Sequence, residues 1–276
     1  MSRVRGFAEY RPQARTRELV SNVQIILSEM AAYLPLTLRQ VFYRLVVKDH
    51  IDKTENGYAR LCETCNRARR AGMINFDHIR DDGPTINNGF DFADAADLTK
   101  YIGEIRTRAR MDLQSFQDRR VWVWCEAAGM VPQLCRVAHK YSVSVLSSGG
   151  FDSLTMKHDM AQQLSGDNVV LHLGDYDPSG EHIFTSLAED IQALGARDAE
   201  FIRLAVTPAQ VLEMNLPTAP PKKTDNRSFS GTSTTQCEAI SPPDLAQILE
   251  DAILDHTDLE AYQEALEWQD KIRRVK

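Results

Sequence analysis

Two acids one residue apart, Asp175 and Asp177, follow the short apolar run Val169 to Leu173 and precede Pro178 and Gly180 in the stretch VVLHLGDYDPSG. The run predicts a buried strand that stops at a loop holding two carboxylates. In an extended chain, residues i and i+2 lie on the same side, so the two acids can converge on one point. Like charges held that close raise each other's pKa unless a cation sits between them. The chemistry this implies is a divalent metal with oxygen ligands, Mg²⁺ above all. The same pair also reads as two solvated turn acids, one of them capping the helix that follows.

A second strand-like run ends in an acid: Val121 to Gly129, VWVWCEAAG, carries Glu126 just past its apolar part. In an open α/β sheet, ligands bind beyond the carboxyl ends of the strands, where both acidic loops would lie. Glu126, Asp175 and Asp177 then form a three-carboxylate cluster. A Glu after one strand and a DxDxxG after a later one resembles the Toprim domain of topoisomerases, primases and related nucleases.

The elements that must position other chemistry come earlier. Arg15 to Tyr33 predicts an amphipathic helix with Leu19, Val23, Ile26, Leu27 and Met30 on one stripe, ended by Pro35. Thr37 can cap a second helix that turns Leu38, Val41, Phe42 and Leu45 inward. A third, about Thr54 to Ala71, presents Arg60, Arg67, Arg69 and Arg70. The alternation in MINFDHIRDDG suits a β-wing, and three helices with a wing make a winged helix whose third helix reads a DNA groove. Its arginines would mainly grip phosphates.

Residues 1–80 hold fourteen Lys and Arg against eight acids, a net +6 that leaves −13 for the rest of a chain whose total is −7. A basic front and an acidic rear point to a polyanion held at one face.

Arg39 and Tyr43, four apart on the second helix, are neighbours on one face. A guanidinium beside a phenol can stabilise phenolate character and bind a phosphate at once, whereas a lone helical tyrosine is ordinarily a core or boundary residue. The combination resembles the A subunit of topoisomerase VI and the related meiotic double-strand-break transesterase, and within that family the compact forms of phages and mobile elements that need no ATPase B subunit. That resemblance implies Tyr43 as the nucleophile joined to a DNA 5′ end, Arg39 as its partner, and Glu126, Asp175 and Asp177 as Mg²⁺ ligands. It further implies a homodimer in which each tyrosine meets its partner's metal. Phe42 stands where the family has a first tyrosine. Within the same fold, a Toprim nuclease using metal-activated water is the alternative reading; a non-catalytic DNA-binding protein is another.

The fold expected is α/β, α+β overall: an N-terminal winged-helix domain over 1–85, a linker and connecting helix over 86–119, and a Toprim domain with a mostly parallel sheet and a C-terminal helical extension over 120–276. The connecting helix is expected at Leu98 to Arg119. The polar stretch LPTAPPKKTDNRSFSGTSTT reads either as a disordered loop or, through Lys222, Lys223 and Arg227, as a basic loop on the DNA channel similar to one in Toprim proteins of mobile elements. Nothing approaches the ~18 apolar residues that span a membrane. Five cysteines without a disulfide-like framework fit a reducing compartment, and the CxxC of Cys62 and Cys65 reads as two free thiols on a helix. The expectation is a soluble protein of a prokaryotic cytoplasm or nucleoid, acting on double-stranded DNA and away from membranes.

Overall fold

The computed structural model describes residues 7–80, 92–108, 110–147, 154–222, 225 and 227–274. Three helices lead: α1 (Ala14–Glu29), α2 (Leu38–Val47) and α3 (Glu55–Arg70). The Thr37 hydroxyl accepts from the Gln40 amide, and the Gln40 side chain accepts in return from the Thr37 amide, a reciprocal cap that fixes where α2 begins. Thr54 does the first half of this for α3, accepting from Gly57 N–H.

The apolar stripes of the three helices meet as their spacing predicts, with Leu19, Val23, Ile26 and Leu27 against Val41, Phe42 and Leu45 and against Leu61, Cys65 and Ala68. Met30 and Leu38 are only partly buried, while Gln40 and Tyr43 are buried instead. The reason is a later segment of the chain: Ala239 completes this core, so α2 is covered on two sides and not one.

The expected wing takes another form. Phe76–His78 is a turn of 3₁₀ helix, and only Ile79–Arg80 (β2) pairs, running parallel to Leu36–Thr37 (β1). Arg69 holds the turn, donating to the carbonyls of Phe76 and Ile79 with its guanidinium 4.7 Å from the Phe76 ring centre. The wing's remainder, from residue 81, and the first part of the linker lie outside the described residues. The connecting helix is shorter and earlier than the sequence predicts: α4 spans Ala95–Arg108, and Leu113–Phe116 is a separate 3₁₀ turn started by Asp112, whose side chain accepts from Gln114 N–H.

Four parallel strands follow: β3 (Arg120–Cys125), β4 (Ser144–Ser147), β5 (Asn168–Leu173) and β6 (Glu200–Ala205), in the order β4-β3-β5-β6. Helices cover both faces, which is why β3 and β5 are apolar almost throughout. On one face Val121, Val123, Leu171 and Leu173 pack against α5 (Val131–Ala138) and, beyond α8 (Pro208–Glu213), against α9 (Pro242–Asp255). On the other, Trp124 and Val170 pack against α6 (Leu154–Gln163) and α7 (Pro178–Ala193). Each fully buried side chain of this size contributes about 1.5–3 kcal/mol relative to exposure. Helix α10 (Leu259–Arg274) ends the described chain. The protein is thus mixed α/β with parallel sheets, and no helix among the described residues is long and apolar enough to cross a membrane. All five cysteines are free thiols.

Candidate active site

Glu126 and the loop from Gly174 to Gly180 lie side by side because β3 and β5 are paired neighbours ending at the same level, Cys125 opposite Leu173. Glu126 Oε2 accepts from the Asp175 amide at 3.2 Å, so the acid after one strand holds the backbone of the acid loop after the other. Two glycines make this approach possible. A side chain at position 174 would have its Cβ 2.7 Å from His172 Cε1 and 2.9 Å from Glu126 Oε2, and one at position 180 would run into the Asp175 carbonyl. Asp177 caps α7, its Oδ1 accepting from Gly180 N–H at 2.7 Å, with Pro178 at the first helical position.

Sequence reasoning missed the residues that hold this loop. Arg203 on β6 donates to the carbonyl oxygens of Gly180 (3.1 Å), Gly174 (3.2 Å) and Asp175, tying three points of the loop to one guanidinium. Burial pushes its pKa down, against the pull of the nearby acids. His172, opposite Arg203 in the sheet, is fully buried with no hydrogen bond to either ring nitrogen, and burial pushes its pKa down to about 3, so it is neutral.

The stretch expected to be either disordered or a basic DNA loop returns to this place. Thr235 pairs with Tyr176 and Thr234 with Ala219 in isolated bridges, and residues 236–239 then run past the acids. The Cys237 amide donates to Asp175 Oδ1 at 2.8 Å, and Glu238 is buried beside it. Burial, then the charge of Glu238, push the Asp175 carboxyl up to about 7, outweighing the Cys237 amide; Glu126 and Asp177 add to the effect. Burial likewise raises Glu126, partly offset by the Asp175 amide. Four carboxylates therefore share one low-dielectric pocket. An all-oxygen, negatively charged donor set of this kind suits a hard divalent cation such as Mg²⁺. As they stand, Glu126, Asp175 and Asp177 are each turned onto a backbone amide, and no three His, Cys, Asp or Glu among the described residues converge closely enough to hold an ion.

Tyr43 reaches the same pocket from α2. It is 4% exposed, and its hydroxyl donates a short hydrogen bond to Gln236 Oε1. Burial raises its pKa, against the lowering pull of Arg39; Glu238 and Asp175 raise it further. Arg39 is half-exposed and lies 3.9 Å from Glu238. Lys53 completes the ring of charges, its ammonium 5.6 Å from the centre of the Tyr43 ring and donating to the Pro217 carbonyl at 2.9 Å. Burial lowers its pKa, with Asp175 opposing. Nothing local in the sequence marks Lys53, Gln236 or Glu238.

The basic residues divide. Arg67 pairs with Glu63 at 2.6 Å and Arg70 donates to Asn66, both along the outer face of α3. Arg60 lines a cleft of about 480 Å³ shared with Arg15, Asn22 and Asp52. Arg69 points the other way, onto the chain's own carbonyls, and does not join that face. Lys222 is exposed and Arg227 pairs with Asp225 at 3.1 Å, while Lys223 lies outside the described residues. Compared with known proteins, the chain matches no protein-family model and no curated sequence.

Proposed function

We propose that this protein cleaves double-stranded DNA by tyrosine transesterification, with a winged-helix-like front body holding the duplex and a Toprim-like sheet body carrying the acids. The observation that carries the reading is the meeting of Tyr43, Arg39 and the acid loop in one pocket, through Gln236 and Glu238. In the reaction the Tyr43 oxygen forms a bond to phosphorus, the bond to the 3′ oxygen breaks, the phenolic proton is lost and the departing 3′ oxygen gains one. Arg39 faces the tyrosine's edge of the pocket from the solvent side, where it would hold the non-bridging oxygens of the scissile phosphate. Lys53 offers a second cation on the other side of the ring.

Glu126, Asp175 and Asp177 would hold Mg²⁺, which when bound supplies charge neutralisation on the phosphate and on the leaving oxygen. Before substrate arrives, the acids remain on backbone amides and the phenol remains on Gln236. Arg60, Arg67 and Arg70 would bind the duplex by its phosphates, without base readout. A homodimer of such chains breaks both strands, and no ATPase subunit is needed for the break.

The burial of Tyr43 and the engagement of its hydroxyl by Gln236 favour a second reading, hydrolysis by metal-activated water with Tyr43 structural. One experiment separates them. Supercoiled DNA with Mg²⁺ is quenched in detergent and 5′ ends are tested for covalently joined protein, for wild type, Tyr43→Phe and Asp175→Asn. Transesterification gives capture in wild type that falls at least 100-fold in both variants, the scale of losing a nucleophile or a charge-bearing ligand. Free 5′ phosphates that persist in Tyr43→Phe would instead establish hydrolysis.

A further inference from the structure

We propose that the cleavage site is complete within a single chain: Tyr43 acts with the acids of its own sheet body and not with those of a partner. This rests on the transesterase reading above and departs from the pairing across a dimer that the family resemblance implies.

The contact between the two bodies has the character of a core. Ala239, from the far end of the chain, is fully buried among the side chains of the first three helices. Gln40, whose side chain caps its own helix, also donates from Nε2 to Gln133 Oε1 of α5 at 2.7 Å, and both residues are buried. Arg44 donates to the Ala239 carbonyl, and Arg136 of α5 donates to the carbonyls of Ala32 (3.1 Å) and Leu34. Separating the bodies would strand these buried donors and acceptors without partners, each at a cost that paired polar groups avoid.

The chemical groups follow from the same contact. With α2 fixed this way, Tyr43 meets Gln236 two residues before the Glu238 that faces Arg39, and Asp175 is held by the amide between them. Lys53 reaches across to the Pro217 carbonyl from the Tyr43 side. Every group the reaction needs is therefore brought to one pocket by intrachain contacts, and a second copy has no residue left to supply. A homodimer would then carry two independent sites, one per strand.

Two measurements test this together. In the first, Tyr43→Phe and Asp175→Asn proteins are mixed after joint denaturation and refolding, and covalent capture at 5′ ends is read. Sites completed by a partner would restore about a quarter of wild-type capture, because half the two-fold dimers are mixed and each has one working site of two. A site complete in one chain restores nothing above the separate variants, with refolded wild type as the reference.

The second measurement needs no catalysis. Ala32→Cys with Arg136→Cys, in a chain with Cys62 and Cys135 replaced by serine, is treated with a short bismaleimide and run on a denaturing gel. An intrachain bridge, seen as a faster-migrating monomer, supports the proposal; a covalent dimer overturns it, as does restored capture in the mixture. Loss of capture in wild type with an intrachain bridge intact would sink the transesterase reading, and with it a cleavage site of any composition, while leaving the packing of the two bodies established.

Discussion

Asp175 gives up most of its solvent to sit among Glu126, Asp177 and Glu238, and its carboxyl is pushed up to about 7 by burial and by those charges. The folded chain without a cation therefore holds this proton more tightly than an unfolded aspartate does, and the linked stability is fully present below the unfolded pKa and lost as pH rises through about 7. Asp175→Asn keeps an acceptor for the Cys237 amide and removes the charge. In metal-free protein it is expected to raise Tm at pH 8 by a few degrees, on the order of 1–3 kcal/mol, with the gap closing by pH 5. Mg²⁺ should stabilise wild type at pH 8 and leave Asp175→Asn unmoved; an equal gap at both pH values would show that ionisation is not what burdens the residue. Asp175, Asp177, Glu126, Arg39 and Tyr43 are legible in the sequence because each sits at a spacing that means something: one apart in a loop, just past a strand, four apart on a helix. Lys53, Arg203 and Glu238 are not, because their roles depend on contacts with residues 28 to 164 positions away. Asp177 answers to both of its readings at once, as an acid facing the cluster and as the cap of α7.

At the scale of elements, the acid loop is shaped less by its own sequence than by β6. Arg203 grips three loop carbonyls, and a lysine, with one ammonium in place of a planar fork, cannot reach all three. Arg203→Lys should speed hydrogen exchange at the amides of 174–180 by tenfold or more while leaving β3 and β5 protected, and unchanged exchange there would remove Arg203 from its positioning role. The strands and most helices are readable from apolar runs and caps, since Thr37, Thr54 and Pro178 mark their helices locally. The wing is not, because the alternation over 73–80 is spent on a turn clasped by Arg69, a contact made from the preceding helix. The same fact divides the arginines of α3. Replacing Arg60, Arg67 or Arg70 by alanine should weaken binding to duplex DNA evenly across sequences and reduce the salt slope by about 1 each. Arg69→Ala should chiefly lower Tm, and a salt slope reduced as much as for the other three would contradict that division.

Over the whole molecule, the basic front expected from the charge count packs directly on the acidic remainder, and the pocket forms at their junction. Division into two bodies is readable in the sequence, but their docking is not, because Gln40, Gln133 and Ala239 carry no signal of one another. The docking also explains why the stretch from 215 onward has so little periodicity: it is a strap whose end must follow the acid loop and then enter the front core, and neither task imposes a period of two or of 3.6.

That strap sets a timetable. A ribosome releases Tyr43 first, then Glu126, then Asp175 and Asp177, yet the residues that bring them into one pocket, Gln236 to Ala239, come roughly two hundred positions after the tyrosine. A nascent chain can complete the front helices and most of the sheet while its phenol and its acids are still unconnected. Whatever these groups do to a phosphodiester, they acquire the ability together and late, so an unfinished copy of this protein is harmless to the DNA around it.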